Sequence, residues 1–134
     1  MRGTTLLLDS QSSRSECAEY LRANGLLVYE AARLEDAREQ VDRIDPDVVV
    51  VGPTTGASAI RELRTRVDAA TSIIVIADIE DCEQARDAGA DSVVVPSALP
   101  SEILYEVRRA LILRRSGRRL PWSRPCLHRP TASR

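Results

Sequence analysis

The sequence predicts an α/β protein with a doubly wound, five-stranded parallel sheet of flavodoxin-like order 2-1-3-4-5 and helices on both faces. Short strand-like runs alternate with segments of helical periodicity along most of the 134 residues, a pattern typical of consecutive βαβ units. Strands three to five are near-continuous Val/Ile runs, as burial on both faces of a sheet requires. The right-handed crossover rule leaves few other topologies for such a chain.

Each predicted strand is a short apolar run between turn residues or helical segments. The five strands are Thr4–Leu8 and residues 26–29, 47–51, 72–77 and 92–95.

Each predicted helix repeats its apolar residues at spacings of three and four. The first helix is capped by Ser12 or Ser13 and ends near Asn24, where Gly25 follows, and Gly89 ends the fourth helix in the same way. The other helices are Leu34–Ile44 and residues 58–68, 80–88 and 100–113, the third opened by Ser58 and the last by Pro100 and Ser101.

The charges divide the chain into two parts. Residues 1–113 hold twelve arginines and all twenty acids, a formal net charge of −8, whereas residues 114–134 hold seven arginines and no acid. The apolar periodicity also ends near Leu113, and a glycine and three prolines interrupt the rest. These features predict a folded domain over residues 1–113 and a basic, disordered tail or linker over residues 114–134.

Several classes of function are excluded by composition. No stretch is long and apolar enough for a membrane span or a signal peptide, so we expect a cytoplasmic protein. Cys17, Cys82 and Cys126 are odd in number and indicate free thiols. His128 is the only histidine and lies in the tail, which excludes His-based triads and zinc clusters. We therefore expect no enzymatic activity, no cofactor and no bound metal.

Three short patterns carry a resemblance to a known family. Pro46-Asp47 opens the third strand, Gly89-Ala90-Asp91 precedes the fifth, and the segment from Gly25 to Ala32 surrounds the second. With the element order and loop lengths, these patterns resemble the CheY-like receiver domains of bacterial response regulators over about residues 4–113. The resemblance implies a signalling module of a two-component system or phosphorelay.

The chemistry that the resemblance implies depends on five positions, most of which are degenerate here. Receivers place two acids after the first strand and a phosphoacceptor Asp after the third, which together hold Mg²⁺. A Thr or Ser after the fourth strand and a Lys after the fifth bind the phosphoryl oxygens. This chain contains no Lys at all. The aligned residues are Leu8 and Asp9 for the acids, Gly52 for the acceptor, Ala77 for the hydroxyl residue and Pro96 or Val95 for the Lys.

Glycine has no side chain to phosphorylate, so the sequence predicts a degenerate pseudo-receiver without a phosphoacceptor. Asp9 is then a remnant of the acidic pocket, and we expect it to cap nearby backbone N–H groups rather than to bind a metal. Asp78 is either a substitute acid beside Ala77 or the N-cap of the following helix. The aromatic that often rotates on activation in receivers is replaced by Val93.

The sequence therefore predicts a phosphorylation-independent signalling module that acts by protein–protein contact. Receivers commonly pair through the face of helix four, strand five and helix five, which suits a symmetric dimer. The candidate dimer face consists here of Arg86, Asp87, Asp91, Glu106, Arg109 and Leu113.

Two alternative functions remain open at the level of sequence. The loop from Gly52 to Ser58 joins a strand to a helix N-terminus, where an anion or a small phosphate-bearing ligand could bind. It lacks the Lys of a Walker A motif and is also consistent with a simple turn. The arginine-rich tail, with one Trp, could contact nucleic acid, dock on an acidic surface or fold back on its own acidic domain. We expect little or no nucleic-acid binding.

Overall fold

The structure, a computed structural model, describes residues 3–11 and 13–122. Strands and helices alternate along this part of the chain. The strands are β1 (Thr4–Leu8), β2 (Leu27–Ala31), β3 (Val48–Val51), β4 (Ser72–Ile76) and β5 (Ser92–Val94). The helices are α1 (Ser13–Ala23), α2 (Leu34–Ile44), α3 (Ala57–Arg66), α4 (Cys82–Ala88) and α5 (Pro100–Arg114).

The strands form one parallel sheet in the order β2-β1-β3-β4-β5, so the predicted fold class is confirmed. In the central strand β3, all four valines are buried, because helices cover both faces of the sheet. Two apolar layers result. One packs between the sheet and helices α2, α3 and α4, and the other between the sheet and helices α1 and α5.

Most element boundaries differ from the sequence-based prediction by only one or two residues. Helix α3 begins at Ala57 with Gly56 at its N-cap, so the prediction that Ser58 opens this helix was wrong by one residue. A 3-10 turn, Ile79–Asp81, precedes α4 where a continuous helix was predicted. Asp78 lies at the N-cap of that turn, but its side chain makes no capping hydrogen bond.

The family-like patterns have structural roles at the amino ends of the strands. Gly89 ends α4 with a φ of 119°, a left-handed conformation that glycine adopts without strain. Asp91 then accepts a hydrogen bond from the backbone N–H of Ile73 at 2.8 Å, which links the start of β5 to β4. Asp47 accepts one from the N–H of Thr4 at 3.1 Å, which links β3 to β1. Both carboxylates tie neighbouring strands together.

The chain after Leu113 differs from the predicted disordered tail. Helix α5 extends to Arg114, whose guanidinium pairs with Asp47 at 3.1 Å and with Asp68 at 2.8 Å. Residues 115–122, which we call the strap, then pack against the domain, and Leu120 is only 2% exposed. The disordered tail was predicted from the charge division, the loss of periodicity, the glycine and the prolines, and these local features do not show that Leu120 and Arg119 contact residues far away in the chain. Residues 123–134, including Cys126 and His128, lie outside the described residues.

Within the part of the chain that the structure describes, no helix is long and apolar enough to cross a membrane.

The strap contributes to the stability of the domain, which predicts different outcomes for two truncations. Removal of residues 123–134 should leave the free energy of unfolding nearly unchanged. Removal of residues 114–134 should lower it by at least about 1.5–3 kcal/mol, because the buried Leu120 side chain is lost. Urea denaturation of the full chain and the two truncated chains measures this difference. Equal midpoints for all three would show that the strap is not packed in solution.

Candidate functional site

The residues at the receiver positions follow adjacent strands of the sheet. Asp9 follows β1, Gly52 follows β3, Ala77 follows β4, and Pro96 comes after β5. Because the carboxyl ends of parallel strands meet at one edge of the sheet, these positions share one region, where open α/β sheets bind their ligands. Leu8, the last residue of β1, is buried in the apolar layer under α2, α3 and α4.

The side chain of Asp9 fills the space in front of Gly52. A Cβ atom built on Gly52 would lie 2.3 Å from Cγ of Asp9, and 2.5 Å and 2.7 Å from its two carboxylate oxygens. These separations are far shorter than any normal contact, so any side chain at residue 52 requires Asp9 to move. Asp9 has little room to do so, since it is only 5% exposed. The absence of a side chain at Gly52 therefore makes room for the neighbouring carboxylate.

Hydrogen bonds hold Asp9 in this position. Its Oδ1 accepts a bond from the backbone N–H of Gln11 at 3.0 Å, and its backbone carbonyl accepts one from Arg14 Nη1 at 2.6 Å. Arg14 is fixed in turn by Glu30, at the end of β2, through a 3.0 Å ion pair. Asp9 thus makes the backbone contact expected of a structural remnant.

A second contact closes the site from the side of the β3–α3 loop. The hydroxyl groups of Ser10 and Thr54 lie 2.9 Å apart and share a hydrogen bond. This contact and the Arg14–Glu30 pair were not found by sequence reasoning, because the partners are 44 and 16 residues apart in the chain. Together they connect the loops that follow β1 and β3 with the end of β2.

The chemistry available at this site is limited. Burial and, to a smaller extent, the charge of Asp9 together raise the pKa of the nearby Cys17 thiol to about 11, so this thiol is protonated at neutral pH. Ala77 has no hydroxyl group, its backbone N–H donates to the carbonyl of Val94 at 2.9 Å, and Pro96 is exposed. Among the described residues, no group of three or more His, Cys, Asp or Glu side chains could hold a metal ion.

A small cavity of about 220 Å³ lies beside this site, between the β3–α3 loop, the end of β4 and α4. Both apolar and polar residues line it. The lining residues are Pro53, Thr54, Thr55, Gly56, Ala57, Ile60, Val75, Ile76, Ala77, Asp81, Gln84 and Ala85.

The predicted dimer face is only partly on the surface. Arg86 and Asp87 are exposed, and Glu106, Arg109 and Leu113 are half-buried. Asp91 is buried and was wrongly assigned to this face. The structure instead shows three exposed apolar side chains that sequence reasoning missed, because a helical pattern alone does not show which neighbours cover it. They are Leu99, Tyr105 and Ile112, with exposed fractions of 62%, 64% and 62%.

Asp91 belongs to a buried charge cluster at the opposite end of the sheet. Its Oδ2 accepts bonds from Arg64 Nη1 at 2.9 Å and from Ile73 N–H, and its Oδ1 pairs with Arg119 at 2.8 Å. Burial raises the pKa of Asp91 and lowers the pKa of Arg64. Desolvation is the largest cause of both pKa shifts, and the attraction between the two groups opposes it.

No family model and no curated protein matches this chain. Solved structures do match it. A two-component response regulator of the LuxR family from Aurantimonas sp. SI85-9A1 is 27% identical, with a TM-score of 0.72 over 90% of this chain and 89% of that one. A CheY-like receiver domain protein from Methanospirillum hungatei JF-1 has a TM-score of 0.77 at 13% identity, over 87% of this chain and 100% of that one.

An orphan response regulator of H. pylori is 20% identical, with a TM-score of 0.72 over 83% of this chain and 99% of that one. These structural neighbours are receiver domains. The chain therefore has the fold of CheY-like receiver domains, and this fold implies a role in signalling. Domains of this fold are generally signalling modules without enzymatic activity.

The contact between Asp9 and Gly52 predicts a measurable coupling between the two residues. Gly52→Ala should lower the free energy of unfolding by about 1–3 kcal/mol, the usual cost of an extra group in a packed site. In an Asp9→Ala background the same substitution should cost clearly less, because the side chain that it displaces is absent. Urea denaturation of all four chains gives the coupling energy. An equal cost in both backgrounds would rule out this steric contact.

Proposed function

We propose that this protein is a phosphorylation-independent receiver-like module that acts by protein–protein contact in bacterial signal transduction or transcriptional regulation. The observation that carries the proposal is the placement of the Asp9 carboxylate against Gly52. A receiver needs a carboxylate nucleophile at that position, and here the adjacent carboxylate is that of Asp9, which follows another strand and is buried.

The remaining positions support the same proposal. Ala77 and Pro96 supply neither the hydroxyl group nor the ammonium group that would stabilise a phosphoryl group during its transfer. Leu8 replaces one of the two acids that bind Mg²⁺ in receivers, and a single carboxylate is a poor magnesium site. The fold of a receiver is retained, while the groups that would switch it by phosphorylation are absent.

The outer surface of α5 is the contact surface that we propose for the partner. Tyr105 and Ile112 are seven residues apart and so lie on the same side of the helix, and Leu99 lies just before its first turn. Contiguous exposed apolar surface commonly marks an interaction site, and these three are the large exposed apolar side chains of α5 and its N-cap. Glu106 and Arg109, which pair at 3.0 Å, flank this surface and suit a homodimer or a partner with mixed charge.

A sensor of a small ligand or anion, bound by the loop from Gly52 to Ser58, is a second candidate because of the cavity beside this loop. Two features weigh against it. The volume of about 220 Å³ is below the roughly 300–1,000 Å³ of typical small-molecule sites. The carboxylate of Asp81 lies in its lining and would repel an anion.

A nucleic-acid-associated regulator that uses the arginine-rich tail is the third candidate. The described part of the tail weighs against it as well. Arg114 and Arg119 are already paired with acids of the domain, so two of the seven tail arginines are committed to intramolecular ion pairs.

Phosphodonors should leave the protein unmodified. Incubation with acetyl phosphate and Mg²⁺, followed by intact-mass measurement, should show no added phosphoryl group, because residue 52 has no side chain. A receiver domain with all five residues, treated in parallel, provides the positive control. Gly52→Asp should also remain unmodified or nearly so, since the metal and oxyanion partners are absent and Asp9 occupies the space. A stoichiometric, acid-labile adduct on the unaltered chain would refute the proposed function.

Full-length protein should show little or no retention on duplex or single-stranded DNA at about 150 mM salt, where non-specific contacts are weak but measurable. The matched control is the chain that ends at Trp122, because truncation after Leu113 would also remove the packed strap. A micromolar complex that is lost in this control and weakens steeply with salt would favour the nucleic-acid function instead.

A further inference from the structure

The strap crosses the amino end of strands β4 and β5, at the opposite end of the sheet from Gly52. Leu120 packs into the apolar layer under α1 and α5, whereas Trp122 packs against the layer on the other face of the sheet. The strap therefore passes from one face of the sheet to the other around the start of β4 and β5.

Few contacts hold the strap in this position. The backbone N–H of Leu120 donates to Ser72 Oγ at 2.8 Å, and Arg119 pairs with Asp91 and donates to the carbonyl of Ala69 at 3.2 Å. The guanidinium of Arg86 lies 5.5 Å from the centre of the Trp122 ring. Among the described residues, no backbone–backbone hydrogen bond joins residues 118–122 to a strand. The strap is thus held by side chains and not by an extension of the sheet.

The outer side of the strap is open. Residues 115–119 and Pro121 are exposed, and a groove of about 410 Å³ separates the strap from α5. Apolar side chains and arginines line the groove. Its lining residues are Arg109, Ile112, Leu113, Arg118, Arg119 and Pro121.

The polar groups that hold the strap, on Asp91 and Ser72, remain satisfied when the strap leaves. If Arg119 leaves, the Oδ2 of Asp91 keeps its bonds to Arg64 and to the Ile73 N–H, so the buried carboxylate is not left uncompensated. The Ser72 hydroxyl would exchange the Leu120 N–H for water. Gly117, in the turn between α5 and the strap, has a φ of 73°, a left-handed conformation that glycine adopts without strain.

We propose that residues 115–122 form a releasable strap, held closed by Leu120 and by the Arg119–Asp91 ion pair, that opens without unfolding of the sheet. Its opening would uncover Ser72 and the apolar residues that Leu120 covers. The receiver-like domain would thus have a conformational switch at the amino end of its sheet, remote from the site where phosphorylation controls other receivers.

Amide hydrogen exchange of the full-length protein, followed by NMR, tests the proposal without any substitution. The Leu120 N–H should be protected, but it should exchange at least tenfold faster than the Val49 N–H of the central strand and with a weaker dependence on urea. Equal rates with equal urea dependence would show that strap and sheet open only together. An unprotected Leu120 N–H would show that the strap is not closed in solution. Either result overturns the proposal.

A pair of substitutions tests whether the Arg119–Asp91 ion pair holds the strap closed. Arg119→Ala should raise the exchange rate of the Leu120 N–H severalfold and leave that of Val49 unchanged. It should also shift the emission of Trp122, the only tryptophan, to longer wavelength and increase its quenching by acrylamide. Arg118→Ala is the matched control, because the Arg118 side chain is exposed and has no ion pair among the described residues. Equal effects of the two substitutions, or no effect of either, would contradict this role of the ion pair.

Discussion

The buried carboxylate of Asp91 is the interaction on which the amino end of this structure depends. Asp91 lies just before β5. It bonds to Arg64 on α3, to the backbone of Ile73 on β4 and to Arg119 in the chain after α5. A buried carboxylate must be compensated, because an unpaired charge in the interior is very unfavourable. This requirement fixes Arg64 on α3, the start of β4 and the course of the strap relative to one another.

The two ends of the sheet differ in the contacts that their residues make. At the carboxyl end, the Asp9 side chain fills the space in front of Gly52 and accepts a hydrogen bond from the Gln11 N–H. At the amino end, ion pairs between acids and arginines connect distant parts of the chain.

The ion pairs at the amino end explain part of the charge asymmetry of the sequence. Part of the excess positive charge after residue 113 neutralises part of the negative charge before it, through Arg114 and Arg119. The partners are separated by 67 residues for Arg114 and Asp47, and such contacts depend on how the fold brings the chain ends together.

The sequence by itself determined the fold, because period-two and period-3.6 patterns are local and the crossover rule reduces the topologies to very few. It also determined that residue 52, which follows the third strand, is a glycine and carries no side chain. Only the tertiary structure decided that Asp9 fills the space at Gly52, that Asp91 is buried instead of forming part of a dimer face, and that residues 115–122 pack against the domain. Each of these facts depends on contacts between residues distant in the chain, and local propensities carry no information about such contacts.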